Sequence, residues 1–235
     1  MTMSERTRII SNLVTDHTSA TLLEASGLDI ALDPAITPIW RGARIAGPAF
    51  PVQGLGGDNL ALHNAVRECP PGHVLVVDAG GGPFGHWGEV LAVAAIARGI
   101  TGLVIDGGVR DSIEQEALGF PVFSRCLAIR GTGKAFPGIR GDPTWVGGIK
   151  VHTGDLVVGD ADGIVCLPVS QIQQIIRSAD ERTRKEQMIF HALRDGATTI
   201  DLYGLDPTGR KTNDPDHRNQ QAQSDRTGPV SQDGA

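Results

Sequence analysis

Apolar positions along this chain follow two rhythms in turn, a helical spacing of about 3.6 residues and short unbroken apolar runs. Asp58-Asn-Leu-Ala-Leu-His-Asn-Ala-Val-Arg-Glu68 has the helical rhythm, with Leu60, Ala61, Ala65 and Val66 on related faces, and Pro70-Pro-Gly ends it. His73-Val-Leu-Val-Val-Asp78 is continuous and apolar between turn signals, the mark of a strand buried on both faces. A glycine-rich turn, Gly80 to Gly88, then leads into an alanine-rich helix, Glu89 to Arg98, stopped by Gly99. Thr101-Gly-Leu-Val-Ile-Asp106 reads as a second buried strand. Strand, turn, helix and strand make one βαβ unit, so the fold class is α/β.

Weaker patterns flank this unit. Thr18 to Gly27 predicts a short helix. Pro34, Pro38 and Pro48 punctuate an irregular stretch, with a strand expected near Ala43 to Ala46. Asp111 to Leu118 predicts a helix, and Phe120 to Ile129 one or two strands. From Thr144 to Leu167, short strands alternate with turns at Gly147-Gly, Thr153-Gly-Asp and Asp160-Ala-Asp-Gly163. Val169 to about Arg194 is a long charged helix. The chain thus divides into an α/β core over 1–168, a helical extension over 169–205 and a tail over 206–235. From Thr208 onward a single Val is the only large apolar residue, so the tail is expected to be disordered.

Composition narrows the function. The formal charge of −6 argues against a basic nucleic-acid-binding face. No apolar run approaches the roughly 20 residues of a membrane helix, and Met1 to Thr7 lacks the apolar centre of a signal peptide. Cys69, Cys126 and Cys166 are too scattered for a zinc site or a disulfide framework. The expectation is a cytoplasmic protein with reduced thiols that handles a small molecule, with no nucleic-acid or membrane partner.

In a parallel α/β sheet, ligands bind beyond the carboxyl ends of the strands. Beyond the first buried strand lies Trp87-Gly-Glu89, and beyond the second Asp106-Gly-Gly-Val-Arg110-Asp111. Adjacent strands would bring these loops together. The helix amino terminus at Gly88 to Leu91 offers amides to a carboxylate, with Glu89, Val90 and Leu91 as candidates. Arg110 could grip the same carboxylate. Asp111 is a hard oxygen ligand for magnesium or manganese, and Glu89 could hold a metal-bound water or move a proton. Blander readings fit the same residues. Asp111-Ser-Ile-Glu114 matches a capping box, Glu89 could simply complement a helix dipole, and Arg110 could pair with a surface acid.

The motifs Arg44-Ile-Ala-Gly-Pro-Ala49, Trp87-Gly-Glu89, Gly102-Leu-Val-Ile-Asp-Gly-Gly-Val-Arg-Asp111, Gly119-Phe-Pro-Val-Phe123, Gly154 to Gly163 and Tyr203-Gly-Leu together resemble the RraA-like superfamily. Within it, the chain resembles the class II pyruvate aldolases acting on 4-hydroxy-4-methyl-2-oxoglutarate and 4-carboxy-4-hydroxy-2-oxoadipate. Those enzymes carry an acid, twenty residues, then Arg-Asp, and here twenty residues separate Glu89 from Arg110-Asp111. The resemblance implies a swivelling β/β/α domain with a C-terminal helix, assembled as trimers or hexamers with sites between subunits. It implies a magnesium or manganese cofactor and a 2-oxo acid substrate. By the same resemblance, Arg110 binds the pyruvyl carboxylate, Asp111 ligates the metal and Glu89 holds metal-bound water. A neighbouring subunit's C-terminal helix contributes an acid, matched here to Glu186. The implied reaction is retro-aldol release of pyruvate, with oxaloacetate decarboxylation through the same enolate. The superfamily also includes non-enzymatic regulators of a ribonuclease, which the intact acid–Arg–Asp set argues against.

Other signals weigh less. His86 and His63 could line the pocket or serve structure alone. Asp58 and Asn59 read first as an N-cap pair. Gly131-Thr-Gly-Lys134 lacks the full phosphate-loop pattern, and Lys134 could act as a Schiff base only in a metal-free enzyme. Asp160 and Asp162 read as turn residues, and Asp180 to Glu186 as a solvated helix face.

Overall fold

Side chains of a strand point alternately to its two faces, and that alternation builds three layers here. The computed structural model describes residues 16–208; Met1 to Thr7 and nearly all of the tail lie outside them. The helices are α1 (Ser19–Ser26), α2 (Leu60–Glu68), α3 (Glu89–Ala97), α4 (Ser112–Ala117), α5 (Ile172–Arg194) and α6 (Thr199–Tyr203). The strands are β1 (Thr37–Pro38), β2 (Ile45–Gln53), β3 (Val74–Asp78), β4 (Gly102–Val109) and β5 (Val122–Leu127), followed by β6 (Ile139–Arg140), β7 (Thr144–Val146), β8 (Ile149–Val151), β9 (Leu156–Gly159) and β10 (Ile164–Leu167). On β3 and β4, Leu75, Val77, Leu103 and Ile105 face one way and pack with Leu62 and Val66 of α2 and Leu91 and Ala95 of α3. Val74, Val76 and Val104 face the other way, into a β layer with Ile45, Phe123, Val151, Val157 and Ile164. Both faces of the sheet are therefore dry, which is why its strands read as unbroken apolar runs. Leu22 of α1 and Ile172 and Ile175 of α5 cover Leu156, Val158 and Leu167 in a third cluster.

The main sheet runs β1-β5-β4-β3-β2-β9-β10, with β6 also on β2 and β7–β8 as a separate hairpin. The β2–β3, β3–β4 and β4–β5 pairs are parallel. This is the expected α/β class and the β/β/α layering. The chain divides into two compact units between Arg184 and Lys185. In the second, Thr198 caps α6 by accepting from the Asp201 amide at 3.2 Å, and Phe190, Leu202 and Tyr203 are exposed. No described helix is long and apolar enough to cross a membrane. The three thiols are unpaired, and burial pushes Cys69 up to about 12.

Two strands depart from the expectation. β2 does not end near Ala46 but runs on through Pro48 and Pro51. The Ala49 amide donates to Asp155 at 2.7 Å, so Pro48 faces the opposite edge, where pairing with β3 begins only at Ala49. Pro51 accepts from the Gly141 amide at 2.9 Å, which turns its missing N–H away from β3. Neither ring interrupts the β2–β3 ladder, and the Gly141 carbonyl opposite Pro51 accepts from the Thr153 hydroxyl at 2.6 Å instead, so the strand continues. β4 likewise continues past Asp106 to Val109, with an irregular register between Ile105 and Gly108. Its glycine pair is no turn. A Cβ at Gly108 would lie 2.6 Å from the Phe84 carbonyl, because the loop after β3 crosses β4 there.

Polar ties fix the layers. The Arg125 guanidinium pairs with Asp106 and, at 2.7 Å, with Asp33. Asp106 also accepts from the Gly147 amide at 3.2 Å, joining the β7–β8 turn to β4. Asp160, as expected, organises its turn by accepting from the Asp162 amide at 3.0 Å. It also takes the Ser19 amide at 2.8 Å and the Ser19 hydroxyl at 2.7 Å, satisfying an unpaired donor at the start of α1.

Burial raises the Asp160 pKa, but these hydrogen bonds outweigh it and leave the group below the ordinary carboxylate range. A depressed folded pKa stabilises the fold above the unfolded value, near 4, and that contribution is lost as pH falls through the folded value. Asp160→Asn should therefore cost about 1–3 kcal/mol at pH 7. In urea titrations the gap to the unaltered protein should narrow below about pH 4.

Candidate active site

β4 leaves the sheet at Val109, and the chain then turns sharply. Asp111 has φ 58° and ψ 46°, and it is the one described non-glycine residue with positive φ. Asp tolerates this left-handed region better than most side chains, at a cost of order 1 kcal/mol. The turn is held from both sides. The Arg110 amide donates to the Trp87 carbonyl at 2.9 Å. The Gln115 side-chain amide donates to the Arg110 carbonyl at 2.6 Å, and Gln115 is fully buried.

The turn directs the Asp111 carboxylate backward. Its Oδ2 accepts from the Glu89 amide at 3.0 Å and lies 3.5 Å from Arg110 Nε. It makes no cap for α4. The capping-box reading of Asp111 and Glu114 is thus corrected: the carboxylate caps α3, which precedes it across β4, instead of its own helix. Close approach needs Gly88, where a Cβ would overlap Asp111 Oδ2 and sit 3.1 Å from Arg110 Cγ.

Gly88, Glu89, Arg110 and Asp111 therefore come together at the carboxyl ends of β3 and β4. The first-turn amides are not equivalent. Glu89 N–H serves Asp111, and Leu91 N–H donates to Gly88 at 3.1 Å while the Leu91 side chain is in the core. Val90 N–H has no acceptor among the described residues, and its side chain is exposed. Glu186 lies on α5 in the second compact unit and is half-buried.

An open concavity of about 540 Å³ adjoins this turn. Arg110, Asp111 and Ser112 form one side, Leu127 to Arg130 at the end of β5 form another, and Pro83 closes it. Sequence reading missed the β5 side and Gln115. The Arg130 guanidinium sits 5.4 Å from the centre of the Phe84 ring.

Among the described residues no three His, Cys, Asp or Glu side chains form a metal cluster. The donor set is one carboxylate, with Asp111 Oδ1 not engaged by protein and the exposed Glu89 on the adjoining first turn. Such a set fits magnesium or manganese, which keep several waters, and lacks the nitrogen and sulfur ligands of zinc.

The weaker candidates are structural. His86 is fully buried; its Nε2 accepts from the Gly57 amide at 3.0 Å, so Nδ1 carries the proton toward Gly108 O, 3.2 Å away. Burial pushes its pKa down, keeping it neutral. Burial and the nearby Lys134 charge also lower His63. Asn59 is the N-cap of α2 but makes no side-chain cap bond; its amide donates to His86 O at 3.0 Å. Asp58 accepts from the Leu60 amide at 3.0 Å and the Ala135 amide at 2.6 Å. Within the Gly131 to Lys134 loop, the Gly133 amide donates to the Gly57 carbonyl at 2.8 Å instead of being presented to phosphate.

Gly88 has φ −157°, which alanine can adopt, so Gly88→Ala tests the close approach alone. It should cost about 1–3 kcal/mol through overpacking and speed hydrogen exchange at the Glu89 amide. Gln115→Met should do the same by freeing the Arg110 carbonyl, at about 1–3 kcal/mol. Unchanged Glu89 exchange in both variants would contradict the arrangement.

Comparison with known proteins agrees with this architecture. The family model RraA-like, described as Aldolase/RraA, matches residues 13–166. A protein of Halalkalibacterium halodurans provisionally named 4-hydroxy-4-methyl-2-oxoglutarate aldolase is 35% identical over 73% of this chain and 82% of its own. An uncharacterised Pseudomonas syringae structure superposes with TM-score 0.74 at 29% identity, covering 82% of this chain and 91% of that one. Streptomyces coelicolor RraAS2, described as an unusual member of the RNase ES inhibitor RraA family, superposes with TM-score 0.69 at 31% identity over 77% and 94%. The chain belongs to the RraA-like family.

Proposed function

We propose that this protein is a divalent-metal-dependent lyase that cleaves a 4-hydroxy-2-oxo diacid, 4-hydroxy-4-methyl-2-oxoglutarate or 4-carboxy-4-hydroxy-2-oxoadipate, and releases pyruvate. The observation that carries the reading is the strained Arg110–Asp111 turn, which aims a guanidinium and a carboxylate at the amino terminus of α3 beside an open concavity. Strain retained at a cleft is a recognised sign of a working site. The aldolase name of the Halalkalibacterium relative supports the same reading.

In this reading Asp111 would hold magnesium or manganese, and Glu89 would hold a water beside it. The bound ion supplies Lewis-acid stabilisation of charge on the keto oxygen. Arg110 grips the 2-oxo acid carboxylate with two parallel hydrogen bonds, and the Val90 amide on the first turn of α3 adds a donor. Glu89 accepts the 4-hydroxyl proton through water. The C3–C4 bond then breaks, C4 becomes a carbonyl, and the electron pair moves into pyruvate enolate. Protonation at C3 gives pyruvate. Glu186 of a neighbouring copy completes the acid–base set in a trimer or hexamer. Oxaloacetate decarboxylation passes through the same enolate and needs no further group.

A second reading, a non-enzymatic protein that binds and regulates a ribonuclease, is favoured by the likeness to RraAS2. Pyruvate release separates the two. We expect turnover with magnesium, its loss in EDTA, and a fall in kcat/KM of at least about 100-fold in Arg110→Ala and Asp111→Ala. Activity that persists in EDTA and in both variants would overturn this mechanism, and ribonuclease binding with no pyruvate from any of these acids would sink the lyase reading.

A further inference from the structure

The concavity carries more positive charge than one carboxylate needs. Arg110 and Arg130 both line it, against Asp111 as the lone acid in the lining, in a chain whose formal charge is −6. Arg110 is already beside Asp111 at 3.5 Å. Arg130 has no carboxylate partner among the described residues, yet its guanidinium is held over Phe84. Stacking of this kind fixes the plane of a guanidinium while leaving its edge N–H donors free.

Phe84 is itself fixed. A Cβ at Gly57 would lie 3.3 Å from its ring and one at Gly82 3.1 Å, so glycines admit the ring from two sides, and His86 meets it edge-on at 5.8 Å. The Arg130 carbonyl also accepts from the Gly85 amide at 2.8 Å. An arginine left to solvent would need none of this support. The same lining also carries apolar, open side chains: Leu127 is 58% and Ile129 91% exposed. Two cationic groups in a lining with an apolar part match a small carbon chain with an anionic group at each end.

We infer that Arg130, positioned by Phe84, recognises the distal carboxylate of the substrate and makes the site selective for 2-oxo diacids over 2-oxo monoacids. This rests on the lyase reading, in which Arg110 takes the carboxylate at the 2-oxo end. The field of the two arginines also concentrates dianions at a site on an otherwise anionic protein.

The test compares two unreactive ligands of equal chain length, 2-oxoglutarate and 2-oxopentanoate, which differ by the distal carboxylate. Binding is measured calorimetrically in magnesium-containing buffer. The unaltered protein should prefer 2-oxoglutarate by roughly 10- to 100-fold, the worth of one charge-assisted hydrogen bond. Arg130→Leu should abolish that preference by weakening 2-oxoglutarate alone, Arg130→Lys should recover part of it, and Phe84→Leu should fall between. A preference that is absent from the start, or that survives Arg130→Leu, overturns the assignment. Arg110→Ala should weaken both ligands equally. Failure of that arm strikes the lyase reading, whereas failure of the Arg130 arm alone leaves it standing.

Discussion

One hydrogen bond, from the Glu89 amide to Asp111 Oδ2, joins the two loop ends on which the candidate site depends. It satisfies a donor that α3 would otherwise leave unpaired. It also requires Asp111 to adopt a backbone conformation that a non-glycine residue avoids. The surroundings supply what that conformation costs. The Trp87 carbonyl takes the Arg110 amide, and the buried Gln115 side chain donates to the Arg110 carbonyl, so the residue before the strained one has both its backbone polar groups bonded. Gly88 leaves the room. The site is thus prepared by backbone geometry before any ligand arrives.

Much of this was legible from residue order, and the reasons differ by element. β3 and β4 announce themselves because burial on both faces leaves only apolar choices, and α2 because its core face repeats at helical spacing. The meeting of Gly88, Glu89, Arg110 and Asp111 followed from adjacency of parallel strands. What local pattern could not give was direction. Asp111-Ser-Ile-Glu114 has the residue types of a capping box, but a left-handed backbone turns the carboxylate toward another helix, and no short-range rule reports that. Pro48 misled because a proline is disruptive only on the edge where its N–H is wanted. Gly107 and Gly108 were placed in the loop beyond the strand, whereas they belong to it and their lack of a side chain serves a crossing loop. Arg130 was within reach of the same strand-end logic that found Arg110, had it been extended to β5. Gln115 was not, since a lone Gln on a short helix is ordinary until its carbonyl partner is known.

The layering assigns separate duties to the two faces of one sheet. Helices α2 and α3 seal one side, and the β layer, tied by Asp33, Arg125 and Asp106, seals the other. The carboxyl edge is left for chemistry, and each strand from β3 to β5 delivers a loop to it. The glycine-rich loop after β3 has two roles there. It closes over β4 through His86 and Trp87, both fully buried, and it presents Phe84 beneath the Arg130 guanidinium. Support of the Arg130 guanidinium and core packing are therefore performed by neighbouring residues of one short segment, so substitutions at alternate positions in it should act on different properties.

The prolines of β2 have an implication for how reliably the chain assembles. β2 is the hub strand, bonded to β3 on one edge and to β9 and β6 on the other. A hub with partners on both edges is where misregistration would do most harm, because a one-residue slip exchanges the buried and opposite faces. In the native alignment neither ring takes a donor from the β3 ladder. Shifted by a single position, each would confront an acceptor with a carbon ring in place of an N–H. Pro48 and Pro51 thereby act as keys in a lock, penalising the alternative pairings while leaving the native one unaltered.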